Sequence, residues 1–464
     1  MTTETAPDVD FTPATADDLP FIRETAERMK LDAAELAPEQ FITVRRDDRI
    51  IGFGRIRPYR DTYELATLAV VEAERGRGLG EAISRELIRR FPQDKVYVVT
   101  DVVGYWERLG FIRTDILPPE LETKRTVACE TLRPGAVGMI YDRLIERLPT
   151  LADVYAARTA IAPHLQRTPL IHNPKLSREL ECDVHVKMEM LQPIGAFKVR
   201  GGVYLASTLG EEERSRGIIG ASTGNHGQSL AYAANLLDIP CVIAMPEEAN
   251  PMKVDSMRAL GAQVEFHGAD FELAREWAEA HARESGMTYV HHVRAPELVA
   301  GVGTISLEII EDLPDVNVII TPIGGGSSAV SHCIVAKALR PNIEIIGVQT
   351  AGAPAVYRSW KERRIQEAGI DTAAEGLATG RAYYVAVKTF IDQLDDMVLV
   401  SEDEIDEAIR TLIRTAHVVT EQAGATATAA AMQIRDRLKG KKVALIASGG
   451  NLTLDALRQI LNAG

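Results

Sequence analysis

The sequence predicts an α/β protein in which a smaller mixed α/β unit precedes a larger unit of parallel sheets. Three observations carry this expectation. From about residue 151, apolar runs alternate with amphipathic segments, the pattern of strands covered by helices on both faces. Several of those runs end in glycine-rich turns, where parallel α/β sheets bind their ligands. Between 129 and 150 the alternation breaks at Pro134-Gly135, and 464 residues suffice for roughly two to four domains.

Taken in order, FITVRRDDRIIGFGRIRPY reads as a hairpin around Arg46-Asp47-Asp48, and ELATLAVV as the next strand. GEAISRELIRRF follows as a helix with Ile83, Leu87, Ile88 and Phe91 on one face. KVYVVT is a strand, and VGYWERLGF a short helix running into another. Residues 129–150 are expected to be a linker with a connector helix, MIYDRLIERL. Beyond it, DVHVKME, GIIGAS, CVIAMP, QVEFHG, NVIITPIGGG, IEIIGVQT and KVALIASGG read as strands. QSLAYAANLL, VDSMRALG, ELAREWAEAHARES and EDEIDEAIRTLIRT are the helices between them.

Composition narrows the function. A formal charge of −14 repels phosphate backbones and anionic membranes, so neither nucleic acid nor a membrane surface is expected as a partner. The four cysteines, at 129, 182, 241 and 333, form no CxxC or Cys/His spacing and read as small buried apolar residues. No apolar run reaches the roughly 18 residues of a membrane span, and MTTETAPDVDFTP lacks the apolar core of a signal peptide. The expected compartment is the cytoplasm.

In the smaller unit, RGRGLG (75–80) lies between a strand and a helix. Such a turn aims backbone N–H groups and a helix dipole at an anion, and Arg75 and Arg77 add charge. With YWERLGF at 105–111, residues 9–128 resemble the GNAT acetyltransferase family. The resemblance implies that Arg75, Gly76, Arg77, Gly78, Leu79 and Gly80 hold the pyrophosphate of acetyl-CoA. Many members carry an acidic tyrosine where this chain has Trp106, whose indole is no acid near neutral pH. Tyr105 is adjacent, but on a helix it points roughly 100° away. Two readings therefore stand for this unit: an acetyltransferase, or a module that binds acetyl-CoA without transferring its acetyl group.

In the larger unit, four stretches carry chemistry. GAFKVRGG (195–202) sets Lys198 between a phenylalanine and glycines that would admit a ligand close to the backbone. ASTGNHG (221–227) opens a helix with groups suited to a carboxylate, or to capping alone. PIGGGSS (322–328) is built like a phosphate cradle, and ASGGN (447–451) ends a strand with a serine.

Together and in this order, they make residues 151–464 resemble the serine/threonine dehydratases, pyridoxal phosphate enzymes of fold type II, with two parallel-sheet α/β subdomains. By that resemblance Lys198 attaches the cofactor covalently and acts as catalytic base, and Phe197 packs on the ring. Asn225 would meet the ring hydroxyl, Gly324, Gly325, Gly326 and Ser327 the phosphate, and Ser448 the pyridine nitrogen. The substrate carboxylate would lie against Ser222, Thr223, Asn225 and His226. The implied reaction is dehydration and deamination of an amino acid such as L-threonine or L-serine. An amino-acid racemase on the same fold is the alternative, with Thr223 working on the opposite face. The resemblance also implies a homo-oligomer, dimer or tetramer.

Three departures matter. Some members bind a divalent metal through downstream acids; here GVQTAGAPAV offers Gln349 instead, so no metal is expected. His292 and Arg294, in HHVRAP, replace a proline and an acid near the expected pocket mouth. They read either as a recharged surface loop or as a feature selecting a substrate with an additional acidic group, such as 3-hydroxyaspartate. The chain also stops soon after ASGGN, leaving the smaller unit as the place for any regulation.

Overall fold

A computed structural model describes residues 9–129, 133–249 and 251–463. Residues 1–8, read above for a signal peptide, and residues 130–132 of the expected linker lie outside the described residues. The chain divides into two compact units: one runs to Glu146 and also takes in Arg363–Gln366, and the other holds Arg147–Glu362 and Glu367–Gly464.

In the first unit, β1 (Phe11–Pro13), β2 (Phe41–Arg46), β3 (Arg49–Pro58) and β4 (Tyr63–Val70) form an antiparallel sheet in that order. The hairpin turn is Asp47-Asp48, with φ of 46° and 61°. This left-handed pair matches the twist of the strands it joins. The helix Leu79–Arg90 buries Ile83, Leu87 and Ile88, and Phe91 is buried just past its end. A second sheet, joining β5 (Lys95–Thr100), β6 (Ile112–Thr114) and β7 (Val137–Asp142), completes the unit.

β7 corrects the expected connector helix. Apolar residues at 139, 140, 144, 145 and 148 mimic helical spacing, but Val137–Asp142 pairs along its whole length with β5. Only Arg143–Arg147 is helical, as a short 3-10 turn. The sheet's outer strand comes from far along the chain: β16 (Arg364–Ile365) pairs in parallel with β6. Two residues carry no periodicity, so nothing in the sequence announced this insertion.

The larger unit holds two sheets. β10 (Ile218–Ala221), β11 (Cys241–Met245), β12 (Gln263–Phe266) and β13 (Thr288–Tyr289) are all parallel, in the order β12-β11-β10-β13. Alternate residues of β10 and β11 face opposite layers. Ile218 and Ile243 join a core with the helix Asn225–Leu236, while Ile219 and Ala244 meet Ala274, Ala278 and Ala282 of the helix Phe271–Ser285. Alanine at every fourth position lets that helix lie close to the sheet.

The second sheet contains β8 (Leu170–His172), β9 (Asp183–Met188), β14 (Val318–Pro322), β15 (Glu344–Thr350), β17 (Asp396–Val400) and β18 (Lys442–Ala447). Its order is β17-β15-β14-β18-β9-β8, parallel except where β8 runs antiparallel along the edge. One face packs Val318, Ile320, Val443 and Leu445 against the alanine-rich helix Gln422–Gln433. All four cysteines are buried, as expected. No helix among the described residues is long and apolar enough to cross a membrane.

Candidate active site

The chemistry gathers where β10, β14 and β18 end. Lys198 caps the helix Val199–Thr208, and its carbonyl accepts a 2.6 Å bond from Ser229 Oγ on the neighbouring helix. Its half-buried Nζ lies 3.2 Å from Ser327 Oγ and 5.3 Å from the centre of the Phe197 ring. Burial penalises the ammonium and lowers the lysine to about 8, so a substantial fraction is free amine in mildly alkaline solution.

The GAFK turn is fastened to the end of β18. Phe197 N–H donates to Ser448 O at 3.0 Å, and Ala196 bridges Gly449. Asn451 Nδ2 reaches both Ile194 O, at 2.9 Å, and Asn225 Oδ1, at 2.7 Å. The structure thus links Phe197, Lys198, Ser327 and Ser448 through direct contacts, and ties Asn225 to the same turn through Asn451.

The cradle residues Gly324, Gly325 and Gly326 run into Ser327, the first residue of the helix Ser327–Leu339. Gly326 has φ +104°, and a Cβ there would lie 2.6 Å from the Ala386 methyl; one on Gly324 would meet Gly376 O at 2.4 Å. The loop thus accepts no side chain, and it presents the unpaired N–H groups of a helix start.

Two of the three glycines of GAFKVRGG, Gly201 and Gly202, have a different use from the one the sequence suggested. A Cβ on Gly201 would lie 2.8 Å from Leu298 O, and one on Gly202 2.3 Å from Ser229 Oγ. They let helices close around Lys198 and do not serve as a bed for a ligand. Beneath them lies a buried ionic cluster. Arg200 is bonded through all three of its nitrogens to Glu189, Glu308, Thr304 and Thr168, and Lys187 also pairs with Glu308. This network was invisible in the sequence, because its bonded partners lie up to 121 residues apart.

On the carboxylate side, Ser222 Oγ accepts from Gly224 N at 3.1 Å, shaping the turn that holds half-buried Thr223. His226 turns its Nε2 to Val290 O at 3.3 Å. Burial, with Lys198 nearby, lowers that imidazole to about 3, so it is neutral. Its backbone N–H and that of Asn225 lie in the first turn of the helix, without intrahelical acceptors.

His292 stacks on His291 at 4.6 Å, and a Cβ on Gly325 would lie 3.6 Å from it. His292 is thus a half-buried wall of the site. Burial and the neighbouring His291 hold it well below the ordinary histidine value, so it carries no charge for an acidic substrate group. Gln349 is fully buried, its Oε1 accepting from Tyr357 N.

Sequence reasoning missed Glu421. Asn225 Nδ2 donates to its Oε1 at 2.9 Å, and its own N–H binds Gly449 O at 3.1 Å. A single acid before an alanine-rich helix carries no signal of this role.

In the first unit, Gly78, at φ +75°, caps the helix Leu79–Arg90, and Arg75–Gly78 stand exposed ahead of it. Arg77 pairs with Glu74 at 3.1 Å, and Arg75 Nε donates to Val70 O. Trp106 is 5% exposed and packs edge-on against Tyr105 and Phe111. Tyr105 is the residue that reaches the loop's helix, with its hydroxyl 2.8 Å from Ser84 Oγ and beside Gly80.

Comparison with known proteins agrees with both halves. A family of pyridoxal-phosphate dependent enzymes matches residues 161–449, and the GNAT acetyltransferase family matches 9–111. The L-threonine ammonia-lyase of Thermotoga maritima is 39% identical over 316 residues, covering 68% of this chain and 79% of that protein. The catabolic L-threonine dehydratase TdcB of Staphylococcus aureus is 38% identical over 323 residues, 68% of this chain and 92% of that one. Among solved structures, threonine deaminase isoform 2 of Solanum lycopersicum superposes with TM-score 0.64 at 30% identity, covering 68% of this chain and 94% of that one. Maize serine racemase gives TM-score 0.64 at 28% identity, with 68% and 97% covered. The chain belongs to the pyridoxal-phosphate dependent enzyme family and carries a GNAT acetyltransferase domain ahead of its catalytic unit.

Proposed function

We propose that the larger unit removes water and ammonia from a β-hydroxy amino acid, with L-threonine as the first substrate, to give a 2-oxo acid. The observation that carries this is the placement of Lys198, its proton affinity lowered by burial and its amine held between Phe197 and the Gly324–Ser327 loop. Those residues fit pyridoxal phosphate, because the loop excludes side chains while offering N–H groups to a phosphate. When bound, that cofactor supplies an electron sink for the α-carbon.

The chain's own residues do the rest. Gly324, Gly325, Gly326 and Ser327 would hold the phosphate, Phe197 the ring face, Asn225 the ring oxygen and Ser448 the ring nitrogen. N–H groups and hydroxyls around Ser222, Thr223, Asn225 and His226 would orient the substrate carboxylate. Lys198, as free amine, takes the α-proton. Hydroxide leaves the β-carbon with a proton as water, and the released enamine hydrolyses to 2-oxo acid and ammonia. The working form is proposed to be a cytoplasmic homo-oligomer.

The test incubates the holoenzyme with L-threonine, L-serine and 3-hydroxyaspartate and measures 2-oxo acid, ammonia and product chirality. Ammonia and 2-oxobutanoate from L-threonine are expected; because His292 is uncharged, preference for 3-hydroxyaspartate would assign the acidic group to Arg294. Conversion of L-serine to D-serine without 2-oxo acid would replace the lyase reading with a racemase.

We further assign acetyl-CoA binding to Arg75–Gly80 of the first unit. Buried Trp106 supplies no acid, so binding without rapid acetyl transfer is the expected outcome. Calorimetry of the full chain with acetyl-CoA, together with threonine turnover at saturating acetyl-CoA, checks this. Absence of both binding and any rate change overturns it.

A further inference from the structure

Glu421 stands at the start of the helix Gln422–Gln433, half-buried and pressed against the end of β18. A Cβ on Gly449 would lie 2.3 Å from its Oε1, so the carboxyl fills the space beside the Ser448–Asn451 turn. Desolvation raises its pKa to about 7, although the Asn225 amide favours the ionised form. The charged side chains acting on it are Glu375, on the turn Glu375–Leu377, and Lys253, on the helix Pro251–Ala259; these two pair with each other. Their opposite charges largely offset, which leaves burial to set the acid's strength.

Asn225 has two amide N–H donors and one acceptor oxygen. One N–H goes to Glu421 Oε1, and the oxygen takes Asn451 Nδ2, itself anchored on Ile194 O. The second N–H is left over. A protonated Glu421 is a weaker acceptor and brings a competing O–H donor. Turning the amide to satisfy that donor would set Asn225 Nδ2 against Asn451 Nδ2, donor facing donor. The network therefore holds the amide most firmly with Glu421 ionised, because the carboxylate is the stronger acceptor and brings no competing donor.

We propose that Glu421 is a positioning residue of the lyase site, its carboxylate holding the Asn225 amide in the orientation that leaves an N–H for the oxygen of the cofactor ring. This rests on the reading that Asn225 meets that oxygen. Its consequence is a proton-linked site: as pH falls through about 7, Glu421 gains a proton, the amide loses its fixed orientation, and the cofactor loses one hydrogen bond.

The experiment uses the full chain loaded with pyridoxal phosphate and without substrate. It follows the cofactor's visible absorbance and its dissociation constant from pH 5.5 to 9, in the parent and in Glu421→Gln. Glutamine keeps the acceptor and cannot titrate. Lys198 titrates in both proteins, so the quantity read is the difference between them. Expected is an inflection near pH 7 in the parent that Glu421→Gln lacks, with affinity at low pH about tenfold weaker in the parent only. Should Glu421→Gln fail to fold, Glu421→Asp keeps the titrating group and is expected to retain an inflection at a displaced pH; an inflection there at the parent's own pH overturns the proposal. A parent chain that takes up no pyridoxal phosphate overturns the functional reading along with it. Normal cofactor binding with identical pH curves in parent and Glu421→Gln overturns this inference alone.

Discussion

Replacing Lys198 with alanine is expected to lower threonine turnover by about 10³-fold or more, the scale of losing a positioned base. The absorbance of cofactor joined to protein should vanish with it. The loss is chemical and not structural, because Lys198 Nζ makes one weak bond, to Ser327 Oγ, while the helix behind it is held by Ser229 and Arg200. The melting temperature of the apoprotein should accordingly stay near that of the parent. A pH dependence accompanies this prediction. Burial lowers the folded lysine to about 8 from its ordinary 10.5, so the nucleophilic amine appears as pH rises through about 8. Covalent uptake of pyridoxal phosphate by the apoprotein should therefore accelerate between pH 7 and 9 and then level off. Stopped-flow absorbance measures it, and a rate that climbs steadily to pH 10.5 would contradict the lowered value.

The second large effect is on stability. Arg200→Met is expected to destabilise the larger unit by roughly 3–5 kcal/mol, because it strands charged groups away from water. The cluster is balanced, with Arg200 and Lys187 against Glu189 and Glu308, and none of the four side chains is more than 6% exposed. Burial alone would raise Glu308, yet Arg200 and Lys187 override it and hold the carboxyl below its ordinary value. That contribution is full above the unfolded glutamate value and is lost as pH falls through the folded one, so acid should unfold the parent by this route. Urea unfolding followed by near-ultraviolet circular dichroism of the larger unit's aromatic residues reads the effect. Double replacement by apolar residues of similar volume at Arg200 and Glu308 should recover part of the loss. A loss below about 1 kcal/mol for Arg200→Met would mean that water reaches the cluster.

Much of the architecture was legible in the chain. Strands such as β14, with Val318, Ile319 and Ile320 in an unbroken apolar run, announce a sheet covered on both faces, and it is. The hairpin at Asp47-Asp48 and the helix Leu79–Arg90 were equally plain, since turn chemistry and helical spacing are local. β7 was misread because its few residues, joined to a polar turn, imitate a helix; pairing with β5 decided otherwise. Tyr105 and Trp106 show the same limit. Spacing along a helix says that two neighbours diverge, but only packing against Phe111 and Ser84 says which one is core.

The sequence by itself determined the chemistry: a lysine after a phenylalanine, three glycine- or serine-rich strand ends, and a glycine turn before a helix. These are short patterns whose meaning lies in the residue types themselves. Only the tertiary structure decided how strongly each group acts. It placed Glu421 against Asn225 across 196 residues, made His292 a neutral wall, and assigned Gly201 and Gly202 to helix contacts. Hydrogen-bond partners, burial and the resulting proton affinities depend on groups far apart in the chain, and no local pattern contains them.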